Sequence, residues 1–327
     1  MPKIVQLALA LVVAYGYALV VRPALQMSGK AGAFFAFVAA LIVLACPLLI
    51  ARDGIVLRAI MAVFCTDLSL KMIDYARQYA HGREASIPYT AYLRFLIPFP
   101  VLLVVFGERE RRLPAAPPLG REFAIVCLCA ILIAAGVALL SIVSGLAAVK
   151  SSFPLNHAVM LPIFVVTIEA ISRLLWGLER LARFDTTPII DRAYLATTPG
   201  EFWRRWNTRV GAWLERNVFR PSGGRRAPVR GIFLAFFASA VLHEVMFAIA
   251  TSRFTGCQFA FFILQAPAVI LSHRITPFVN RGGPAIKTVA RILTVLWFYV
   301  TSVLFFEGVN RVFPFIYASQ PWLPWGQ

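Results

Sequence analysis

The chain has 327 residues, 60% of them hydrophobic and 14% charged, with a mean hydropathy of +0.75 and a formal net charge of +17. A soluble globular domain is excluded, because such a domain spreads its charges along the chain, whereas here they fall in short intervals between long apolar runs. A nucleic-acid partner is disfavoured too, since the basic residues lie at the ends of those runs, where positive-inside loops, anionic headgroups or an anionic cytosolic substrate explain them.

A membrane span needs roughly 20 apolar residues. About nine segments meet that need: 4–21, 31–50, 55–73, 89–106, 122–143, 155–176, 230–251, 257–273 and 287–306. The predicted fold is all-α, a polytopic transmembrane helical bundle forming one membrane-embedded domain over residues 1–327. Lys3 precedes the first run, but no small-residue cleavage site follows it, so it reads as a span rather than a leader. Three intervals carry the strongest positive bias: 108–121 with Arg109, Arg111, Arg112 and Arg121; 177–230; and 274–287 with Arg274, Arg281 and Lys287. Nine spans put all three on the cytosolic side, whereas the loop 74–88 with Arg77 and Arg83 argues weakly the other way. Cys46, Cys65, Cys127, Cys129 and Cys257 show no Cys-x-x-Cys pair, so they are expected to be packing residues, and no metal site or redox cofactor is expected.

Within the spans, Asp67, Lys71 and Asp74 fall on one helical face and Glu169 precedes Arg173 by four residues, so these groups should neutralise one another. The stretch 177–230 is too long and too patterned to be a passive connector, and reads as a cytosolic or interfacial loop and helix. Thr198-Pro199-Gly200-Glu201 predicts a helix start: Thr at the N-cap, Pro in the first position, and Glu three residues after the cap. Its continuation over 202–219 puts Phe202, Trp206, Val210, Trp213 and Leu214 on one face and Arg205, Arg209 and Arg216 on another. Such a helix lies at the headgroup level, aromatic face inward, arginines toward phosphates.

His243 and Glu244 sit inside Gly231 to Thr251, where Ser239 is the other polar side chain before Thr251. An ionisable group at the bilayer centre costs roughly 2.5–3.5 kcal/mol even on a lenient scale, and is functional by default. Adjacent residues on a helix diverge by about 100°, so the two are not there merely to bond each other. A histidine satisfied by a neighbouring helix is the alternative. His-Glu also begins the zinc motif H-E-x-x-H, but Phe247 occupies the second ligand position. His81, His157 and His273 lie in a loop, at a span edge and beside Arg274, where structural roles are expected.

Phe202-Trp203-Arg204-Arg205-Trp206-Asn207, with His243 36 residues further on, resembles the membrane-bound O-acyltransferase superfamily, closely over 197–251 and elsewhere by its many spans. Phe-Trp-Arg-Arg-Trp and the tail Arg220-Pro221-Ser222-Gly223-Gly224 look like the bacterial polysaccharide-acetylating branch; Asn207 and Leu242-His243-Glu244 look like the wax-synthase and sterol-acyltransferase branches. Wax-synthase motifs commonly carry a Gly after the first Trp; here Arg204 occupies that place or the Gly is deleted.

The resemblance implies direct acyl transfer from acyl-CoA to a hydroxyl acceptor, most simply a long-chain alcohol, as in wax ester synthesis. His243 would be the base, kept neutral by its apolar surroundings, and Asn207 would orient the thioester or donate to the developing oxyanion. Trp203, Trp206, Arg204, Arg205 and Arg209 would bind the donor, arginines on its phosphates, and Glu244 would orient rather than react. The competing readings are O-acetylation of a glycan or secondary-metabolite hydroxyl, and a transporter or lipid-handling protein with a polar path through His243, Glu169 and Asp67. Arginine outnumbers lysine 27 to 5, which points to a bacterial inner membrane; in a eukaryote the expectation is the endoplasmic reticulum.

Overall fold

A computed structural model describes residues 1–27, 29–80, 87–98, 113 and 117–314, of Ala80 the backbone alone. In chain order its principal helices are α1 Lys3–Val20, α2 Gly29–Ala45, α3 Ile55–Ala80, α4 Tyr89–Leu96, α5 Leu119–Gly145 and α6 Phe153–Leu181. They continue with α7 Pro199–Arg205, α8 Thr208–Leu214, α9 Pro228–Thr251, α10 Cys257–Arg281 and α11 Pro284–Val312. Among the described residues seven helices are long and apolar enough to cross a membrane: α1, α2 with its 3-10 extension to Leu49, α5, α6, α9, α10 and α11. The chain is thus an integral, all-helical membrane protein.

Two expected spans fall outside those seven. Segment 55–73 lies in α3, which carries Arg58, Asp67, Lys71 and Asp74 along its length. Of segment 89–106, residues 89–98 are described, and within them the helix is the eight-residue α4; 99–106 lie outside the described residues, as do His81, Arg83, Arg109, Arg111 and Arg112.

The chain divides into two compact units. The first comprises Met1–Pro114, Ala182–Thr186 and Val245–Phe254. There α1 buries Ala10, Ala14 and Ala18, a stripe of small side chains that lets neighbouring helices come close. Lys71 and Asp67 pair at 2.8 Å in the interior, as their spacing predicts. Buried Arg22 donates to the Tyr75 hydroxyl at 3.1 Å and lies 4.2 Å from the Tyr89 ring centre. Charge survives in this apolar unit because it is partnered.

The second unit comprises Ala115–Leu181, Thr187–Glu244 and Thr255–Gln327. Its α5 and α6 approach so closely at Gly136 that a Cβ there would lie 2.1 Å from the Thr167 hydroxyl. Glu169 and Arg173 are 3.7 Å apart, again as expected, and Arg173 also reaches Asp191 at 3.2 Å. Cys127 departs from the packing expectation: it is exposed on α5, among apolar residues suited to lipid, while the other four cysteines are buried.

The predicted continuous helix over 202–219 is interrupted. It ends at Arg205, resumes at Thr208, and closes with a π-helical turn over Glu215–Phe219.

Candidate active site

The start of α7 follows its sequence pattern with one shift. The Thr198 hydroxyl accepts from the Glu201 N–H at 3.2 Å, and Pro199 opens the helix. Glu201 reaches back one residue further than a capping box predicts, accepting from the Thr197 N–H and hydroxyl, each at 2.8 Å, and from Arg205 at 2.8 Å. Burial pushes the Glu201 carboxyl up, but these donors and the Arg205 charge outweigh it and hold the group below the usual carboxylate range. The helix is seated on α10 at Gly200, whose N–H donates to the Ser272 hydroxyl at 2.9 Å. A Cβ at Gly200 would stand 2.9 Å from that of Ser272, so the seat requires glycine.

The break after α7 has a physical cause that lies outside the helix. Trp206 is extended and Asn207 is left-handed, with φ +48°, a conformation that asparagine tolerates better than most residues. The segment 188–191 straps it: the Asp191 N–H donates to the Arg205 carbonyl and the Thr208 N–H to the Ile189 carbonyl, both at 2.8 Å. The Thr208 hydroxyl adds a bond to the Pro188 carbonyl at 2.7 Å. Asn207 therefore stands at a corner between two short helices rather than on the face of one.

His243 projects from α9, and its Nδ1 lies 2.8 Å from the Ser239 carbonyl. A carbonyl only accepts, so Nδ1 carries the proton and Nε2 keeps its lone pair. Among the described residues no protein group bonds Nε2. The ring packs against Phe262, centres 4.0 Å apart and planes tilted by 30°, and edges toward Phe305 at 6.5 Å.

Two cavities meet at this ring. One, of about 420 Å³, is lined by Trp203, Arg204, Trp206, Asn207, Ser239 and His243, and its rim includes Glu215 and His273. The other, of about 530 Å³ and almost wholly apolar, runs between α6 and α11 past Ala158, Leu161, Phe298 and Phe305. Trp203, Trp206, His243 and Phe262 line both, so they form the wall between them. On the side of the first cavity, the Asn207 side-chain oxygen is buried without a hydrogen-bond partner, as is Trp203 Nε1. Unbonded buried polar atoms are costly, and a ligand group would satisfy these.

The remaining residues singled out in the sequence separate into two sets. Arg204 is exposed at the cavity and, among the described residues, forms no ion pair. Arg205 is committed to Glu201 and to the Asp191 carbonyl. Arg209 departs furthest from its predicted phosphate face: it is buried, gripping both Glu179 oxygens at 2.7 and 2.5 Å and the Thr187 carbonyl. Glu244 lies on the other side of α9, buried, accepting the N–H groups of Thr255, Gly256 and Phe259 at 2.8–3.0 Å, where it ties down the start of α10. Among the described residues no group of His, Cys, Asp or Glu is arranged to hold a metal.

Sequence reasoning missed several lining residues. Ser239 was visible as the polar residue one turn before His243, and Ser272 with Thr276 as an i, i+4 polar pair in an apolar helix. His273, expected to be structural, is exposed at the cavity rim. Phe236 and Phe262 carried no signal among so many apolar neighbours. His157 does have the structural environment expected of it, buried with Nε2 2.9 Å from the Tyr299 carbonyl and 3.0 Å from the Ser302 hydroxyl.

Comparison with known proteins places this geometry. The model of the family described as MBOAT, membrane-bound O-acyltransferase family, matches residues 121–306, more than half of the chain. The chain is 34% identical over 139 residues to an Arabidopsis thaliana protein named probable long-chain-alcohol O-fatty-acyltransferase 3, covering 39% of this chain and 41% of that one. It is 30% identical over 171 residues to probable long-chain-alcohol O-fatty-acyltransferase 7 of the same plant, covering 48% of each. Against diacylglycerol O-acyltransferase 1C of Glycine max it is 32% identical over 97 residues, 29% of this chain and 19% of that one. The match thus spans less than half the length of each of these relatives.

Proposed function

Because the chain belongs to the membrane-bound O-acyltransferase family, we propose that it transfers an acyl group from acyl-CoA to the hydroxyl of a lipophilic, long-chain alcohol. The observation that carries this reading is His243, with Nε2 unbonded, in the wall between a cavity with a charged rim and an apolar cavity. Such a position suits a base that must meet a water-soluble donor and a greasy acceptor together. The names of the plant relatives support the same substrate class.

In the proposed reaction the acyl-CoA thioester lies against the Trp203–Asn207 corner. Nε2 of His243 takes the proton of the acceptor hydroxyl as its oxygen adds to the thioester carbonyl. The Asn207 amide and Trp203 Nε1–H are the candidate donors to the oxyanion that forms. Collapse breaks the carbon–sulfur bond, the ester departs, and the CoA thiolate recovers the proton from the imidazolium. Arg204 supplies the phosphate contact in place of Arg209, whose charge is already used. Glu244 acts at a distance, fixing the helix that carries Phe262.

O-acetylation of a glycan, which the Phe-Trp-Arg-Arg-Trp pattern favours, fits less well, because a polar acceptor gains nothing from the apolar cavity. The plant origin of the relatives supports an endoplasmic-reticulum membrane, and the arginine usage a bacterial inner membrane; the chemistry is the same in both. The test is incubation of purified protein with labelled acetyl-, octanoyl- and palmitoyl-CoA and a panel of alcohols. Equal yields of free CoA and long-chain ester are expected, whereas product formed from acetyl-CoA and sugars would transfer the assignment to the acetylating reading.

A further inference from the structure

A third cavity lies apart from His243. It is an almost wholly apolar groove of about 750 Å³ between α10 and α11, lined from Pro267 to Val279 on one helix and from Ala285 to Trp297 on the other, with Thr197 and Pro199 at its edge. Twelve residues of helix rise about 18 Å. That is close to the depth of one leaflet, half of a hydrocarbon core about 30 Å thick.

The end of the groove at the Gly282-Gly283 turn is basic. From Val245 through Phe306 the chain has no Asp or Glu, while Arg281 and Lys287 flank that turn, with Arg274 two helical turns back along α10 and Arg291 one turn further along α11. All four are exposed, and among the described residues none forms an ion pair; Arg291 donates instead to the Leu195 carbonyl at 3.4 Å. Buried or half-buried arginines of this unit are neutralised, as Arg173, Arg180 and Arg209 are by Asp191, Glu122 and Glu179. Unpaired cations at the mouth of a leaflet-deep apolar slot complement a ligand with an anionic head and an alkyl tail.

We propose that the α10–α11 groove is a binding site for an anionic phospholipid, its phosphate among Arg281, Lys287 and their neighbours and one acyl chain along Ile275, Leu293 and Trp297. Basic pockets between spans at the cytosolic face recognise such headgroups. Thr294 lines both this groove and the apolar cavity beside His243, so the bound chain packs against a wall of the candidate active site.

Trp297 provides the probe, because brominated acyl chains quench an indole they touch. The full chain is reconstituted in phosphatidylcholine vesicles containing a minor fraction of either dibrominated phosphatidylglycerol or dibrominated phosphatidylcholine. Stronger quenching by the anionic lipid is expected, and Trp297→Phe should remove the excess. Replacing two exposed cations, Arg281→Gln with Lys287→Gln, should weaken the preference about thirtyfold, at roughly fivefold per cation. Equal quenching by the two lipids, or an excess that survives the double substitution, overturns the site. So does displacement of the quencher by hexadecanol or palmitoyl-CoA at substrate concentrations, which would make the groove a substrate path. None of these readouts depends on acyl transfer, so the site stands or falls separately from the proposed function.

Discussion

Nδ1 of His243 and the carbonyl oxygen of Ser239 lie 2.8 Å apart, one helical turn from each other on α9. The bond is made within a single helix, so it fixes the tautomer whatever occupies the cavities. It leads directly to the first prediction. His243→Ala should lower acyl transfer by at least about 10²–10⁴, the usual worth of a general base, with expression and thermal midpoint unchanged. Turnover that survives the substitution would remove His243 from the mechanism.

Asn207 combines two properties that substitution can separate, a left-handed backbone and a side-chain amide whose oxygen is unbonded. Asn207→Gly keeps the backbone and deletes the amide. It should fold as the parent does and lose about 10²-fold in kcat, the usual cost of an oxyanion donor. Asn207→Ala should show the same loss plus about 1–2 kcal/mol of destabilisation. A pure rise in KM for acyl-CoA in both variants would make Asn207 a binding residue.

Arg209 should behave as part of the framework. Arg209→Met strands the Glu179 carboxylate in a dry site and should cost about 3–5 kcal/mol, read as a lowered denaturation midpoint in detergent. The double substitution Arg209→Met with Glu179→Leu should recover most of that loss. A phosphate-binding Arg209 would instead raise KM for acyl-CoA without lowering the midpoint.

Glu201 sets an acid limit on the corner. Its pKa is depressed in the folded chain, so its contribution is fully present above the unfolded value of about 4.3 and is lost as pH falls through the folded value. The parent should therefore lose stability on acidification below about pH 4.3. Glu201→Gln should be less stable at neutral pH and flatter in that acid window. Parallel pH profiles for the two proteins would show that the carboxylate contributes nothing to α7.

Ala158 lines the apolar cavity. Ala158→Phe should shorten the space available and reduce kcat/KM for hexadecanol relative to octanol by at least about tenfold, since pocket methylenes are worth roughly 1–3 kcal/mol each. An unchanged ratio would place the alcohol chain elsewhere.

What the sequence revealed and what it hid follow from the range of the forces involved. Seven of the nine apolar runs, the Thr198 cap, the Asp67–Lys71 pair and the polar interruption at His243 are local patterns, and each is found in the structure where its spacing puts it. The corner at Asn207 is not local. Phe202 to Phe219 has helical periodicity throughout, and what breaks it is a strap of backbone bonds from residues 188–191. Arg209 was misread for the same reason, its acidic partner lying 30 residues earlier at the end of α6. The cavity wall of Phe236 and Phe262 was illegible because an aromatic that packs against an imidazole and one that faces lipid look alike in a chain that is 13% aromatic.

His243 and Glu244 point away from each other, one to the cavities and one to the amide groups that begin α10, the helix bearing Phe262. Neighbours in sequence thus serve as two teeth of one cog: turning α9 by a single residue would disengage the ring from its aromatic partner and release that partner's helix in the same motion. Lengthening the chain by one residue between Gly231 and Leu242 would force that slippage, while the same addition beyond Arg281, after α10 has ended, would leave both teeth engaged.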